Sequence, residues 1–331
     1  MLSSVADIKR LTWRAINYYY PPLAMRRLKL ISSGIPQINN NELLLFVCTR
    51  NEVKRIPFFL EYYRLRGVDR FFFIDNDSRD ETKEVLLSQK DVCLFQTDEP
   101  YSDSLYGINW QQALASKYGR NKWCLLVDMD EFLVYPHCEE VPIKDLCLSL
   151  DSEGKNAMKV MLLDMYADGF PSVETRQPLW EVFPYFDKDS HYLSSFHFKE
   201  AMFGGVRKRV FGVHACLQKI PLIKYSPAMK LKIGMHRVLN VDLSKVEGIL
   251  LHFKFDSLFA LKANEESQRK QHWKQAVEYN KYLSQIKPGN KFQLYNPTHS
   301  VKYKNSQQLV DMRLMKTSGQ FESYVRTTLG R

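Results

Sequence analysis

The chain reads as an α/β protein built on a mostly parallel sheet flanked by helices, and three observations predict it. From Leu43 to Leu133, short apolar runs alternate with segments whose apolar residues recur at helical spacing. The connections between them are of turn length, which gives consecutive β-α-β units and a right-handed parallel sheet. Each of three runs then empties into a polar cluster: Arg50-Asn51-Glu52, Asp75-Asn76-Asp77 and Asp128-Met129-Asp130. In open parallel sheets ligands bind in the crevice outside the carboxyl ends of the strands, so these clusters converge on one site.

Residues 1 to 40 read as an attachment to that core. Trp13, Tyr18, Tyr19 and Tyr20, then Pro21-Pro22, then Met25 to Leu30 mix aromatic, basic and aliphatic side chains. The mixture suits peripheral contact with a membrane face, aromatics at headgroup level and cations on anionic lipid. The other reading is an N-terminal helix packed on the domain, with a linker at Ser32-Ser33-Gly34.

Leu43 to Cys48 is the first strand. Val53, Ile56, Leu60 and Tyr63 mark a helix after it, with Pro57 in the first turn and Gly67 closing it. Arg70 to Ile74 is the second strand, and Ser78 with Glu81 forms a capping box for the helix through Leu86. Val92 to Phe95 is the third strand, followed by a helix from about Tyr106 to Tyr118, stopped by Gly119. Cys124 to Val127 is a strand buried on both faces, ending in Asp128, Asp130 and Glu131.

Asp128 and Asp130 are two apart, so in extended backbone both leave the same face. Two converging carboxylates repel unless a cation lies between them. Mg²⁺ or Mn²⁺ suits such a pair, taking one or two carboxylates plus substrate phosphates. The plainer alternative is a strand that runs into a solvated acidic turn, but apolar residues on both sides place the acids in a crevice. Neither G-x-G-x-x-G nor G-x-x-x-x-G-K-[ST] occurs in these turns, which disfavours a dinucleotide fold and a P-loop.

The ordered set Thr49-Arg50-Asn51-Glu52, Asp75 to Thr82 and Trp123 to Phe132 resembles the nucleotide-sugar-binding half of GT-A glycosyltransferases, in particular the glycosyltransferase family 2-like branch. The resemblance covers roughly residues 42 to 135. It implies a Rossmann-like GT-A fold, a UDP-sugar donor, and a divalent metal on Asp130 and Asp128. It further implies base or ribose contacts from Glu52 and the Asp75/Asp77 turn, Arg50 on the diphosphate, and Asn51 and Asp128 among the donor-binding residues. In related enzymes a histidine from the C-terminal half completes the metal shell, and His236 and His252 resemble those positions. His252, in a strand-like Ile249 to Phe255, is the favoured ligand; a histidine in such a strand also has an ordinary structural reading.

Beyond Pro142 the likeness thins. Ala157 to Asp164 reads as a strand, Tyr166 to Gly169 as a turn, and Phe170 to Gly205 as an aromatic-rich stretch suited to an acceptor lid. Arg207-Lys208-Arg209 is either a solvated loop or a contact for diphosphate or an anionic acceptor. A long helix is expected from Ser257 to Ile286, capped by Asp256-Ser257. The organisation expected is 1–40 as the attachment and 41–256 as the catalytic domain, with a nucleotide-sugar half (41–135) and an acceptor half (136–256). Residues 257–331 form a helical extension. Family 2 members invert, and an inverting transferase needs a carboxylate base at the acceptor hydroxyl; Asp164, Asp168 and Glu200 are the candidates.

Composition narrows the partners. The 331 residues carry 47 Lys plus Arg against 37 Asp plus Glu, and the +10 balance suggests phosphates, acidic lipids or polyanionic glycans. A glycan or lipid-linked acceptor fits that balance. Nucleic acid fits it on charge alone but is not expected, because no zinc-finger spacing or other nucleic-acid-binding motif occurs. Six cysteines form no C-x-x-C pair, and no stretch approaches the roughly 18 apolar residues of a membrane span. A cytoplasmic protein is expected. Two other readings remain: a sugar nucleotidyltransferase on the same fold, disfavoured by a first loop without glycines, and a carbohydrate- or lipid-binding module that has lost turnover.

Overall fold

The computed structural model describes residues 21–173, 177–196, 199–271, 273–286 and 292–330. The aromatic part of the N-terminal attachment, Trp13 to Tyr20, lies outside the described residues. After a helical turn at Pro21–Ala24 comes a short strand β1 (Lys29–Leu30) and then β2 (Leu44–Thr49). Helix α1 (Ile56–Leu65) leads to β3 (Arg70–Asp75), α2 (Thr82–Leu87) to β4 (Val92–Gln96), and α3 (Ile108–Tyr118) to β5 (Trp123–Asp128). The expected β-α-β series is therefore present, with strand ends within a residue of those read from the apolar runs.

A turn at Met129-Asp130 opens β6 (Glu131–Val134), followed by α4 (Ile143–Ser152) and β7 (Ala157–Asp164). A smaller layer follows: β8 (Tyr185–Asp187), the hairpin β9 (His191–Phe196) and β10 (Lys199–Gly204), and α5 (Gly205–Phe211). The chain then returns to the sheet as β11 (Gln218–Lys224), makes the small hairpin β12 (Lys230–Leu231) and β13 (Val238–Leu239), and ends its sheet with β14 (Gly248–His252). Helices α6 (Phe259–Arg269) and α7 (Trp273–Gln285), strand β15 (Ser300–Lys302), and helices α8 (Ser306–Asp311) and α9 (Gly319–Leu329) complete it.

Nine strands form the central sheet in the order β1-β4-β3-β2-β5-β11-β7-β14-β6. Neighbours β4, β3, β2 and β5 are parallel, as are β7 and β14. Strands β1, β11 and β6 run against them. The sheet is thus mostly parallel and flanked by helices, as expected, with an antiparallel strand wedged between its two parallel parts.

The buried strands alternate between two cores. Leu45, Val47, Phe71, Phe73, Leu125 and Val127 face one side, where α1 brings Phe59 and Tyr63 and α9 brings Phe321 and Val325. Leu44, Phe46, Phe72, Ile74, Cys124 and Leu126 face the other, against Trp110 and Leu114 of α3. Phe46 and Phe72 stack at 4.9 Å across adjacent strands.

Three local expectations are corrected. Asp128 and Asp130 do not share one extended strand, because β5 stops at Asp128 and Asp130 lies in the turn. The Ser78–Glu81 capping box does not form; Ser78 Oγ instead accepts from the Asn51 amide at 3.0 Å, tying two loops together. The helix expected from Ser257 to Ile286 is a pair, broken where Lys270 adopts a left-handed conformation at φ 53°. Asp256 still serves its start, since its Oδ1 accepts from the Leu258 amide at 2.9 Å.

Candidate functional site

Strand polarity puts a row of polar residues along one edge of the sheet. The parallel strands end there with Gln96, Asp75, Thr49, Asp128, Asp164 and His252, and the opposing strands β11 and β6 begin there with Gln218, Lys219 and Glu131. All three sequence clusters lie at this edge, joined by groups from the second half of the chain.

The first two clusters are laced to each other. Arg79 N donates to Asn51 Oδ1 at 2.8 Å, and Glu52 N donates to Thr82 Oγ1 at 2.9 Å. Asn51 and Asp77 both sit at positive φ, 53° and 61°, a conformation that Asn and Asp tolerate better than most side chains. The Arg50 guanidinium donates to the carbonyls of Asn76 at 2.8 Å and Asp77 at 3.1 Å. Asp75 is fully buried; its Oδ2 accepts from Ser78 N at 3.2 Å, while its Oδ1 has no hydrogen-bond partner. Burial raises its pKa.

The two acids of the third cluster take different partners. Asp128 Oδ2 accepts from Lys219 Nζ at 2.9 Å, and the same ammonium bonds Glu131. The Asp128 side chain is 49 % exposed, so it borders open space, whereas Glu131 is buried. Burial pushes the Glu131 carboxyl up to about 7 against the pull of Lys219. The Lys219 ammonium is itself buried, yet the two carboxylates raise its pKa above the ordinary lysine value.

Asp130 faces His252. Its Oδ2 lies 3.3 Å from His252 Nε2, and His252 Nδ1 donates to Asp164 Oδ1 at 2.5 Å. Arg207 Nε donates to Asp164 Oδ2 at 2.8 Å, and Arg207 Nη1 lies 3.5 Å from Glu278. Burial alone would raise the pKa of Asp130; His252, with Arg55 and Lys254 near, holds it well below the usual carboxylate range. Burial likewise opposes the His252 cation, but Asp130 and Asp164 outweigh it and raise its pKa to about 9. Asp164 is held low by Arg207 and His252 in spite of its burial.

Glu52 is clamped by Arg55 Nη1 at 3.2 Å and Lys262 Nζ at 2.8 Å, and Arg55 also bonds Asp256 and the Phe253 carbonyl. A cavity of about 50 Å³ lies among Glu52, Arg55, Asp80, Asp256 and Lys262. Helix α6 thus crosses the crevice mouth: besides Lys262 it brings Glu265 to 3.7 Å from Arg50, and just past its end Gln271 accepts from Ser102 Oγ at 2.8 Å.

His236 sits apart from the Asp130–His252 contact. Its Nδ1 meets the Gln218 carbonyl at 2.8 Å, and burial with Lys219 and Arg207 nearby lowers its pKa to about 4. Asp168 lies in an exposed turn. Glu200 is on β10, but its side chain lies outside the described residues. No family model matches the chain, and no curated protein matches it. Among solved structures it is similar, at 10% identity and a TM-score of 0.26, to a structure described as 4-diphosphocytidyl-2C-methyl-D-erythritol synthase, over 78% of this chain and 94% of that one. A likeness at that level says nothing about activity.

Among the described residues, no three His, Cys, Asp or Glu side chains form a ready-made metal cluster. The pair Asp130 and His252 nonetheless fits a hard-to-borderline divalent ion, since one carboxylate and one imidazole nitrogen converge. The Asp164 hydrogen bond fixes which nitrogen of His252 faces Asp130, as a supporting carboxylate does in metal sites. Sequence reasoning missed Lys219, Arg55, Asp256 and Lys254. Lys219, next to the apolar run Ile220–Ile223 of its strand, is the one signal that could have been found.

Proposed function

We propose that this chain is a metal-dependent, inverting glycosyltransferase that moves a sugar from a UDP-sugar to a glycan or lipid-linked acceptor. The observation that carries the reading is the Asp130–His252 pair, 3.3 Å apart at the carboxyl edge of the sheet and backed by Asp164. Asp130 and His252 would hold Mn²⁺ or Mg²⁺, and the ion would supply charge neutralisation for the leaving diphosphate.

The protein's own residues do the rest. Asp164 holds the His252 imidazole so that Nε2 points at Asp130. Lys219 keeps Asp128 and Glu131 from repelling each other and so keeps the acidic turn in place. Asp75 Oδ1, buried without a partner, suits an N–H or O–H donor from the base or ribose. Both oxygens of Asp164 are engaged, by His252 and Arg207, which favours Asp168 or Glu200 as the base at the acceptor hydroxyl.

Calorimetric titration of UDP with and without Mn²⁺ tests this reading. Wild type should bind UDP more tightly with Mn²⁺, and Asp130→Ala should lose the metal-dependent part while keeping its far-ultraviolet circular dichroism. An Asp130→Ala protein with unchanged Mn²⁺-dependent binding would sink the metal assignment.

A further inference from the structure

We propose that α6 is a strap that holds the crevice shut, and that the donor enters only when α6 parts from the loops at the carboxyl edge. The inference rests on the reading that gives Arg50 and Glu52 to a nucleotide-sugar; the strap itself rests on what α6 touches. Lys262 Nζ lies 2.8 Å from Glu52 Oε1, and Glu265 Oε1 lies 3.7 Å from Arg50 Nη2. These two positions are three apart, so both side chains leave one face of the helix. Just past its end, Gln271 Oε1 accepts from Ser102 Oγ at 2.8 Å and from Ser102 N at 3.3 Å. The three contacts tie α6 to the loop after β2 and to the loop after β4. A carboxylate of the chain itself thus stands on Arg50, where the donor's diphosphate would, and an ammonium stands on Glu52, where base or ribose would.

Space is the second observation. The cavity left among Glu52, Arg55, Asp256 and Lys262 is about 50 Å³, against roughly 300–1,000 Å³ for ordinary ligand pockets. A nucleotide does not fit beneath α6 as it lies. The contacts that must part are polar and partly exposed: the Lys262 side chain is 29 % exposed and that of Glu265 43 %. Ion pairs of that kind are individually weak. The apolar face of α6 points elsewhere, with Phe259 and Ala263 packed against Phe211, Phe255 and Tyr282 in a core of the second half. The helix therefore keeps its apolar anchor when its polar contacts to the first half break. Its end is set off from α7 by the left-handed Lys270. Where only a fraction of the molecules is open, apparent donor affinity falls by that fraction, so loosening the strap tightens binding. A helix that merely lined the donor site would give the opposite sign.

The test is calorimetric titration of UDP at fixed Mn²⁺ on the full chain and two double variants. Lys262→Ala with Gln271→Ala removes two of the three contacts and should bind UDP roughly three- to tenfold more tightly than wild type. Ser102→Cys with Gln271→Cys, joined by a short thiol-to-thiol crosslinker, should bind UDP at least about tenfold more weakly than the same protein left unjoined. Equal or weaker UDP binding by the alanine variant overturns the proposal, as does unchanged binding by the crosslinked protein. UDP bound by none of the proteins sinks the donor reading, and the strap falls with it. UDP bound by all of them alike sinks the strap and leaves the donor reading standing. Should the alanine variant not fold, the crosslinked protein compared with its unjoined form decides alone.

Discussion

The behaviour of His252 depends on a carboxylate that the sequence places eighty-eight positions away in the hydrogen bond Asp164–His252. Replacing Asp164 with Asn keeps the shape but removes the charge that both His252 and the buried Arg207 lean on. The expected result is a roughly ten- to hundredfold loss of Mn²⁺ affinity, as for supporting carboxylates of metal-bound histidines. A stability loss of about 3 kcal/mol should accompany it, because Arg207 loses its nearest buried counter-charge. Metal titration and denaturant melts measure the two separately. A second residue-scale prediction lies away from the crevice, at buried Asp187, which accepts from Arg209 at 2.9 and 2.7 Å. Burial works to raise its pKa, but Arg209, Tyr166 and Ser190 hold it below the usual value. Its folded pKa is lower than its unfolded one, so its contribution is present above about pH 3.9 and is lost as pH falls through the folded value. Asp187→Asn should therefore cost about 1–3 kcal/mol at pH 7 and flatten the acid side of a stability–pH curve from urea unfolding. An acid limb as steep as wild type's would contradict this.

Single elements show what the sequence made legible. The strands β2 to β5 and the helices between them could be read because each carries its own period, and turn-length links force them to be parallel neighbours. The polar clusters at Arg50, Asp75 and Asp128 could be placed at one edge for the same reason. Of their partners, His252 is reached only through the family resemblance, while Lys219 is missed and Arg207 reads as a loop or an anion contact, since they arrive on elements whose place no local pattern reveals. Strand β11 enters antiparallel between β5 and β7, and only that insertion brings Lys219 to Asp128. The helix expected over Ser257 to Ile286 had the right period but not the break, which turns on one left-handed residue, Lys270. The start of α3 is a sharper local constraint. Gly107 has φ 82°, and a Cβ there would lie 2.7 Å from Cys48 Sγ at the end of β2. Gly107→Ala should destabilise the protein by more than about 1 kcal/mol, read as a lowered midpoint in chemical denaturation. An unchanged midpoint would mean that the helix start can shift away from β2.

At the scale of the whole molecule, the two parallel parts of the sheet meet at β11, and their carboxyl edges face one crevice crossed by α6. The C-terminal segment is part of the same body, with β15 paired to β8 and Phe321 and Val325 of α9 in the main core. No helix among the described residues is long and apolar enough to cross a membrane. The overall balance is basic, at +10, while the cations at the crevice are paired with its own carboxylates. The most direct test of the proposed donor binding is a thermal-shift screen of nucleoside diphosphates and sugar nucleotides, each with and without Mn²⁺. A ligand that binds only the native state raises the melting temperature. The account predicts a rise for UDP or a UDP-sugar that requires the metal and disappears in His252→Ala. No rise for any nucleotide, with or without Mn²⁺, would contradict it and leave Asp128 and Asp130 as an acidic turn held by Lys219 and His252.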